Sequence, residues 1–202
     1  MTRPARHDDS APPVGLVAIG GSWGGVDAAI HVLRELRAPL DVPVLLVLHR
    51  ARSSEAALLE RVIARDCGHA ARELGDKDVL TAGTVHIAPP DYHVLVEGSA
   101  VSLTVDDPVN HSRPSVDLAF ESAAEGYTDS LLAVLLTGLG RDGARGVEAV
   151  RRRGGRTLVQ DPAEAERADM PLAAIATGCV DEVATLAGIG ARLAVLLGGG
   201  QR

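Results

Sequence analysis

The sequence predicts an α/β domain: a three-layer sandwich in which a mainly parallel sheet carries helices on both faces, with a small β-hairpin insertion. Three observations predict it. Several short runs are apolar at every position, as strands buried on both faces must be. Segments with apolar residues at helical spacing alternate with those runs, the order that builds a parallel sheet under helices. The middle of the chain then changes to β-rich runs separated by turn signals.

Taken in order, residues 1–13 read as a flexible polar tail with Pro4, Pro12 and Pro13, and one domain is expected over 14–202. Residues 14–20 form an apolar run between Pro13 and a glycine cluster, hence a buried strand. Val26, Ala29, Ile30, Leu33 and Leu36 repeat at helical spacing before Pro39 stops them. Residues 42–48 are a second buried strand. Ser53 and Ser54 can cap a helix through Leu58, Leu59, Val62 and Ile63 that Gly68 ends. Short β runs follow at 84–88, 92–97 and 101–105, the last two as a hairpin. A helix is expected at 115–127 with Ser115 as its cap, then the most apolar strand at 131–136 and a helix to about Arg153. Strand 157–160, helix 170–177, strand 180–183 and a terminal helix over 190–197 complete the chain.

Composition bounds the function. With 202 residues, 46% of them hydrophobic, the chain can bury a full core, and 23% charged residues exclude a disordered polymer. Acids outnumber bases by 27 to 20, for a net charge of −7, which disfavours a nucleic-acid partner that needs a basic face. Trp23, Tyr92, Phe120 and Tyr127 are the only aromatics, too few for base-stacking platforms. Cys67 and Cys179 lie far apart without CxxC spacing, so neither a disulfide framework nor structural zinc is expected, and a reducing cytoplasm fits. The polar start is no signal peptide, and no uncharged apolar run reaches the roughly 20 residues of a membrane helix.

Ligands of open α/β sheets sit at the carboxyl ends of the strands. After the first strand comes Gly20-Gly21-Ser22-Trp23-Gly24-Gly25, after the second His49, and after the strand at 131–136 Thr137-Gly138-Leu139-Gly140-Arg141-Asp142-Gly143. A serine, a histidine and an aspartate thus share one sheet edge, the parts of a nucleophile, its base and the carboxylate that orients the base. Singly, each has a plainer reading: a turn serine, a satisfied polar histidine, a helix-capping aspartate. A dinucleotide cradle fails twice, because Ser22 stands where its second glycine belongs and His49 where an acid should bind ribose. No Gly-Lys-Ser/Thr phosphate loop occurs. His86, His93 and His111 lack metal-ligand spacing, so no metal and no cofactor is expected. Arg113 and Asp117 read as residues that lock a helix start, with Arg113 at the cleft rim.

Several blocks together carry a resemblance: residues 19–25, His49, Val85-His86-Ile87-Ala88-Pro89-Pro90-Asp91, Arg113-Pro114-Ser115-Val116-Asp117, residues 136–143, then Gln160-Asp161 and Met170-Pro171. In that order they resemble the catalytic domain of the chemotaxis protein-glutamate methylesterase, CheB, from 14 to about 197. The resemblance implies hydrolysis of glutamate γ-methyl esters on the cytoplasmic helices of methyl-accepting chemoreceptors, without membrane insertion, and in many members glutamine deamidation. It puts the nucleophile at Ser22, the base at His49 and the orienting carboxylate at Asp142. Trp23 departs from the small residue usual after the nucleophile and is expected to be partly exposed, against the substrate. Leu139 replaces a usual methionine, and its amide is a candidate oxyanion donor. Family members typically carry a receiver domain ahead of the catalytic one. Residues 1–13 are too few for that, so a stand-alone catalytic domain with an open cleft, active without a phosphodonor, is expected. The competing reading is a copy that has lost catalysis and serves as a binding module.

Overall fold

A computed structural model describes residues 12–51 and 56–198. Residues 1–11 of the expected tail, and Ser53 and Ser54, lie outside the described residues. Nine strands and six α-helices follow in the described chain: β1 (Leu16–Gly21), α1 (Gly25–Arg34), β2 (Val44–Leu48), α2 (Ala56–Cys67), β3 (Ala70–Glu73), β4 (Thr84–Ile87), β5 (His93–Glu97), β6 (Ala100–Thr104), α3 (Val116–Tyr127), β7 (Leu131–Leu135), α4 (Ala144–Arg152), β8 (Arg156–Gln160), α5 (Asp169–Ala176), β9 (Glu182–Ala184) and α6 (Leu186–Gly198).

Seven strands form one sheet in the order β3-β4-β2-β1-β7-β8-β9, every pairing parallel, while β5 and β6 make a separate antiparallel hairpin. The expected mainly parallel sheet with a hairpin insertion is what the chain adopts. Side chains of successive strand residues point to opposite faces, and the core divides accordingly. Val17, Ile19, Val44, Leu46, Val134 and Leu136 pack under α1, α2 and α6. Leu16, Ala18, Leu45, Val47, Ala133 and Leu135 pack under α3, α4, α5 and the hairpin. Such two-sided burial is why β1, β2 and β7 are apolar throughout.

β3 is an addition to the expected elements. Ala70–Glu73 alternates between exposed and half-buried residues and has no β-branched side chain; it is extended because it pairs with the free edge of β4. Chain order reverses at the centre of the sheet. From β1 the chain moves outward to β2 and on to the edge strand β3, comes back to place β4 between those two, and after the hairpin lays β7 on the other side of β1. The crevice beyond the carboxyl ends of β1 and β7 is therefore the switch point where sheets of this kind bind ligands.

Candidate active site

The sheet ladder continues past the strand ends and sets the positions of the residues there. Leu136 donates to the Gly20 carbonyl at 2.8 Å, Ser22 to the Thr137 carbonyl at 3.0 Å, and His49 to the Gly21 carbonyl at 3.1 Å. The backbones of Ser22, His49 and Thr137 are thereby neighbours across the switch point. Gly138 must be glycine here: a Cβ would lie 2.7 Å from the Ser22 Cβ and would also collide with the Met170 sulfur. Thr137 braces the same turn. Its amide donates to Gln160 Oε1 at 2.7 Å, and its hydroxyl accepts from the Arg167 amide at 2.9 Å while lying 3.1 Å from the Trp23 carbonyl.

His49 and Asp142 meet directly, with 2.9 Å between Nε2 and Oδ2, and their side chains are 15% and 2% exposed. The same Asp142 oxygen accepts the Val116 amide at 2.7 Å. Its other oxygen accepts the Asp117 amide at 3.0 Å, the Ser115 hydroxyl at 2.9 Å and the Asn110 side-chain amide at 3.2 Å. Asp142 thus sits on the first amides of α3, where helix N–H groups have no partner in their own helix. Burial works to raise its pKa. The His49 hydrogen bond and the Asp117 and Val116 amides outweigh that and hold the carboxyl below its ordinary range.

Asp117 does the same for the neighbouring helix. It is buried in the first turn of α3, and its Oδ1 accepts the Gly143 and Gly146 amides at the start of α4, at 2.8 and 2.9 Å. Each carboxylate caps the helix that the other one opens. Burial, with the negative charge of Asp142 beside it, pushes the Asp117 carboxyl above its ordinary range against the pull of the Gly146 and Gly143 amides and Arg145. Asn110 Nδ2 bridges the two, 2.9 Å from Asp117 Oδ2 and 3.2 Å from Asp142 Oδ1.

Of the residues singled out in the sequence, Ser22, His49, Asp142, Trp23 and Leu139 all stand at this one edge. Ser22 is half-buried at the end of β1, and its hydrogen bonds among the described residues run through its main chain. Trp23 is 58% exposed, and its indole donates to Glu166. Leu139 is exposed, and its amide and that of Trp23 have no partner among the described residues. Ser115 caps α3 as expected, accepting the Leu118 amide. Arg113 does not lock a helix start: it binds Asp91 at 2.8 Å and the carbonyls of Val105 and Asp106, pinning two loops together. His86 and His93 are buried in structural hydrogen bonds, with Thr81 and with Ser115 respectively. Among the described residues no cluster of His, Cys, Asp or Glu is disposed to hold a metal. The sequence reading missed Ser112, whose hydroxyl lies 3.1 Å from His49 Nδ1, and Asn110. Asn is common where the backbone turns left-handed, but nothing in the sequence says where such a turn aims its side chains.

The chain is similar over most of its length to proteins of one family. A family model described as CheB methylesterase matches residues 17–193. A Leptospira interrogans relative is 38% identical over 171 residues, covering 84% of this chain and 88% of that protein. The protein-glutamate methylesterase/protein-glutamine glutaminase of Bordetella pertussis is 39% identical over 91% of this chain, which spans 53% of that protein's length. Protein-glutamate methylesterase FrzG of Myxococcus xanthus is 38% identical over 96% of this chain and 59% of its own. The crystal structure of the Thermotoga maritima CheB methylesterase catalytic domain superposes with a TM-score of 0.85 at 28% identity, covering 92% of this chain and 100% of that one.

Proposed function

We propose a serine-dependent ester hydrolysis for this chain, which belongs to the CheB methylesterase family: Ser22 is the nucleophile, His49 its base and Asp142 the carboxylate that orients the base. The observation that carries the reading is the 2.9 Å contact between His49 Nε2 and the buried Asp142, at the switch point where Ser22 also lies. The substrate is a glutamate γ-methyl ester on the cytoplasmic helices of a methyl-accepting chemoreceptor or related sensory receptor, which places the enzyme in the cytoplasm. No helix among the described residues is long and apolar enough to cross a membrane.

An ionised carboxylate only accepts hydrogen bonds, so Asp142 holds the imidazole with its proton on Nε2 and leaves the Nδ1 lone pair as the base. As Ser22 Oγ bonds to the ester carbonyl carbon, its proton passes to Nδ1, and the carbonyl oxygen becomes an oxyanion facing the unbonded Leu139 and Trp23 amides. Collapse breaks the carbon–methoxide bond. The imidazolium returns the proton to the leaving oxygen, and methanol departs. Water then attacks the acyl-enzyme while His49 takes its proton, and Ser22 leaves with that proton to free the glutamate. With ammonia as leaving group the same steps would hydrolyse a glutamine side chain, the second activity in the name of the Bordetella relative. Trp23 and Leu139 offer apolar surface at the rim, suited to lie against a substrate helix. Replacing Ser22 by Ala should lower turnover of methylated receptor at least ~10³-fold. Undiminished turnover in that variant overturns the assignment.

A further inference from the structure

The turn over residues 109–112 touches both His49 and Asp142. Val109 and Ser112 exchange main-chain hydrogen bonds, at 3.2 and 2.9 Å. The two residues between them, Asn110 and His111, have φ of 51° and 65°. Two central residues at positive φ mark a tight turn of fixed shape, in which Asn tolerates the left-handed backbone. From this turn Asn110 reaches the two buried carboxylates, and Ser112 Oγ lies 3.1 Å from His49 Nδ1.

The proton on Nε2 is committed to Asp142, so in the neutral ring Nδ1 can only accept. Ser112 must then donate. We propose that Ser112 is a positioning residue for the reaction: it holds the imidazole by its Nδ1 edge, so that the ring is gripped from both sides until Ser22 takes its place at Nδ1. This rests on the proposed roles of Ser22 and His49. A hydroxyl is suited to both protonation states. It donates to Nδ1 while the ring is neutral, and by rotating about Cβ–Oγ it accepts from Nδ1–H once the ring has taken the proton of Ser22. Ser112 yields the lone pair to Ser22 during attack and steadies the imidazolium that results. It forms no bond to substrate, so its loss should appear in kcat and leave KM alone.

The test uses the full chain with ¹⁵N-labelled histidine, in wild-type, Ser112→Ala and Ser112→Thr forms. For the neutral ring of His49, the ¹⁵N spectrum of the wild type should place the proton on Nε2. The Nδ1 resonance should show an accepted hydrogen bond, and in Ser112→Ala it should move toward an unbonded lone-pair nitrogen. Loss of one neutral hydrogen bond corresponds to a fall of about 3- to 10-fold in kcat, with KM unchanged, and Ser112→Thr should restore the wild-type rate. A proton on Nδ1 in the wild type, an unmoved Nδ1 resonance in Ser112→Ala, or an undiminished kcat there overturns the proposal. The spectrum is read without substrate and needs no activity. If Ser112→Ala does not fold, the wild-type and Ser112→Thr spectra decide. A failure of the nucleophile assignment is distinguishable, since it appears as full activity in Ser22→Ala whatever the state of His49.

Discussion

Replacing Asp142 by Asn removes a charge and turns one acceptor into a donor at a place where every neighbour donates. One oxygen faces His49 Nε2 and the Val116 amide; the other faces the Asp117 amide, the Ser115 hydroxyl and Asn110. Whichever way the new amide turns, at least one buried main-chain N–H loses its partner. That costs about 1–3 kcal/mol, and loss of the negative charge at the start of α3 adds about 0.3–1 kcal/mol. A destabilisation of about 2–3 kcal/mol lowers Tm by roughly 4–12 °C in a domain of this size. Activity should suffer more. If the amide nitrogen faces His49, Nε2 must accept and the proton moves to Nδ1, which removes the base; the same change in a serine protease lowers kcat about 10⁴-fold. Urea unfolding with turnover of a methylated receptor fragment at a temperature where the variant is folded measures both. A folded Asp142→Asn protein with turnover within tenfold of wild type would refute the role given to Asp142, and unchanged stability would refute its role as the cap of α3.

The site has two further measurable consequences. Asp117 has its pKa raised by burial and by the neighbouring Asp142, so the native state keeps a proton that the unfolded chain has already lost. Its contribution therefore favours folding below the unfolded value of about 4 and declines as pH rises through the folded value. Measured by urea unfolding from acid to neutral pH, the stability of wild type relative to Asp117→Asn should fall as pH rises; a flat or rising difference contradicts the assignment. Asp142, whose pKa is lowered, runs the opposite way and loses its contribution as pH drops below the ordinary carboxylate range. Trp23 is the only tryptophan and 58% exposed, so a methylated receptor fragment that covers the rim should shift or quench its fluorescence. An unchanged spectrum under saturating fragment removes Trp23 from the substrate surface.

The central strands and their helices were legible because two-sided burial leaves one kind of sequence, and the site residues because they come directly after those strands. Ser22, His49 and the turn of Asp142 sit just past β1, β2 and β7, so the order of apolar runs already put them at one edge. β3 was not legible. Its strand state comes from pairing with β4, a long-range contact that Ala70–Glu73 does not encode in any periodicity. The helix expected over 26–36 ends at Arg34, although Leu36 is still buried: burial continues where the hydrogen-bonded helix has stopped. Ser115 as a cap was readable because it bonds three residues ahead. Asp117 was placed at its own helix start, whereas it caps α4 across 26 and 29 residues of sequence. Ser112 stayed hidden for the same reason, with His49 63 positions away.

The central claim is that Ser22 Oγ forms the covalent bond, and one measurement addresses it directly. The folded protein is incubated with a fluorophosphonate, digested, and the modified peptide sequenced by mass spectrometry. Labelling at Ser22 is expected, lost in Ser22→Ala and greatly slowed in His49→Ala, since the probe reads an activated hydroxyl and needs no receptor. A folded protein that takes up no probe, or takes it up on a residue other than Ser22, contradicts the account.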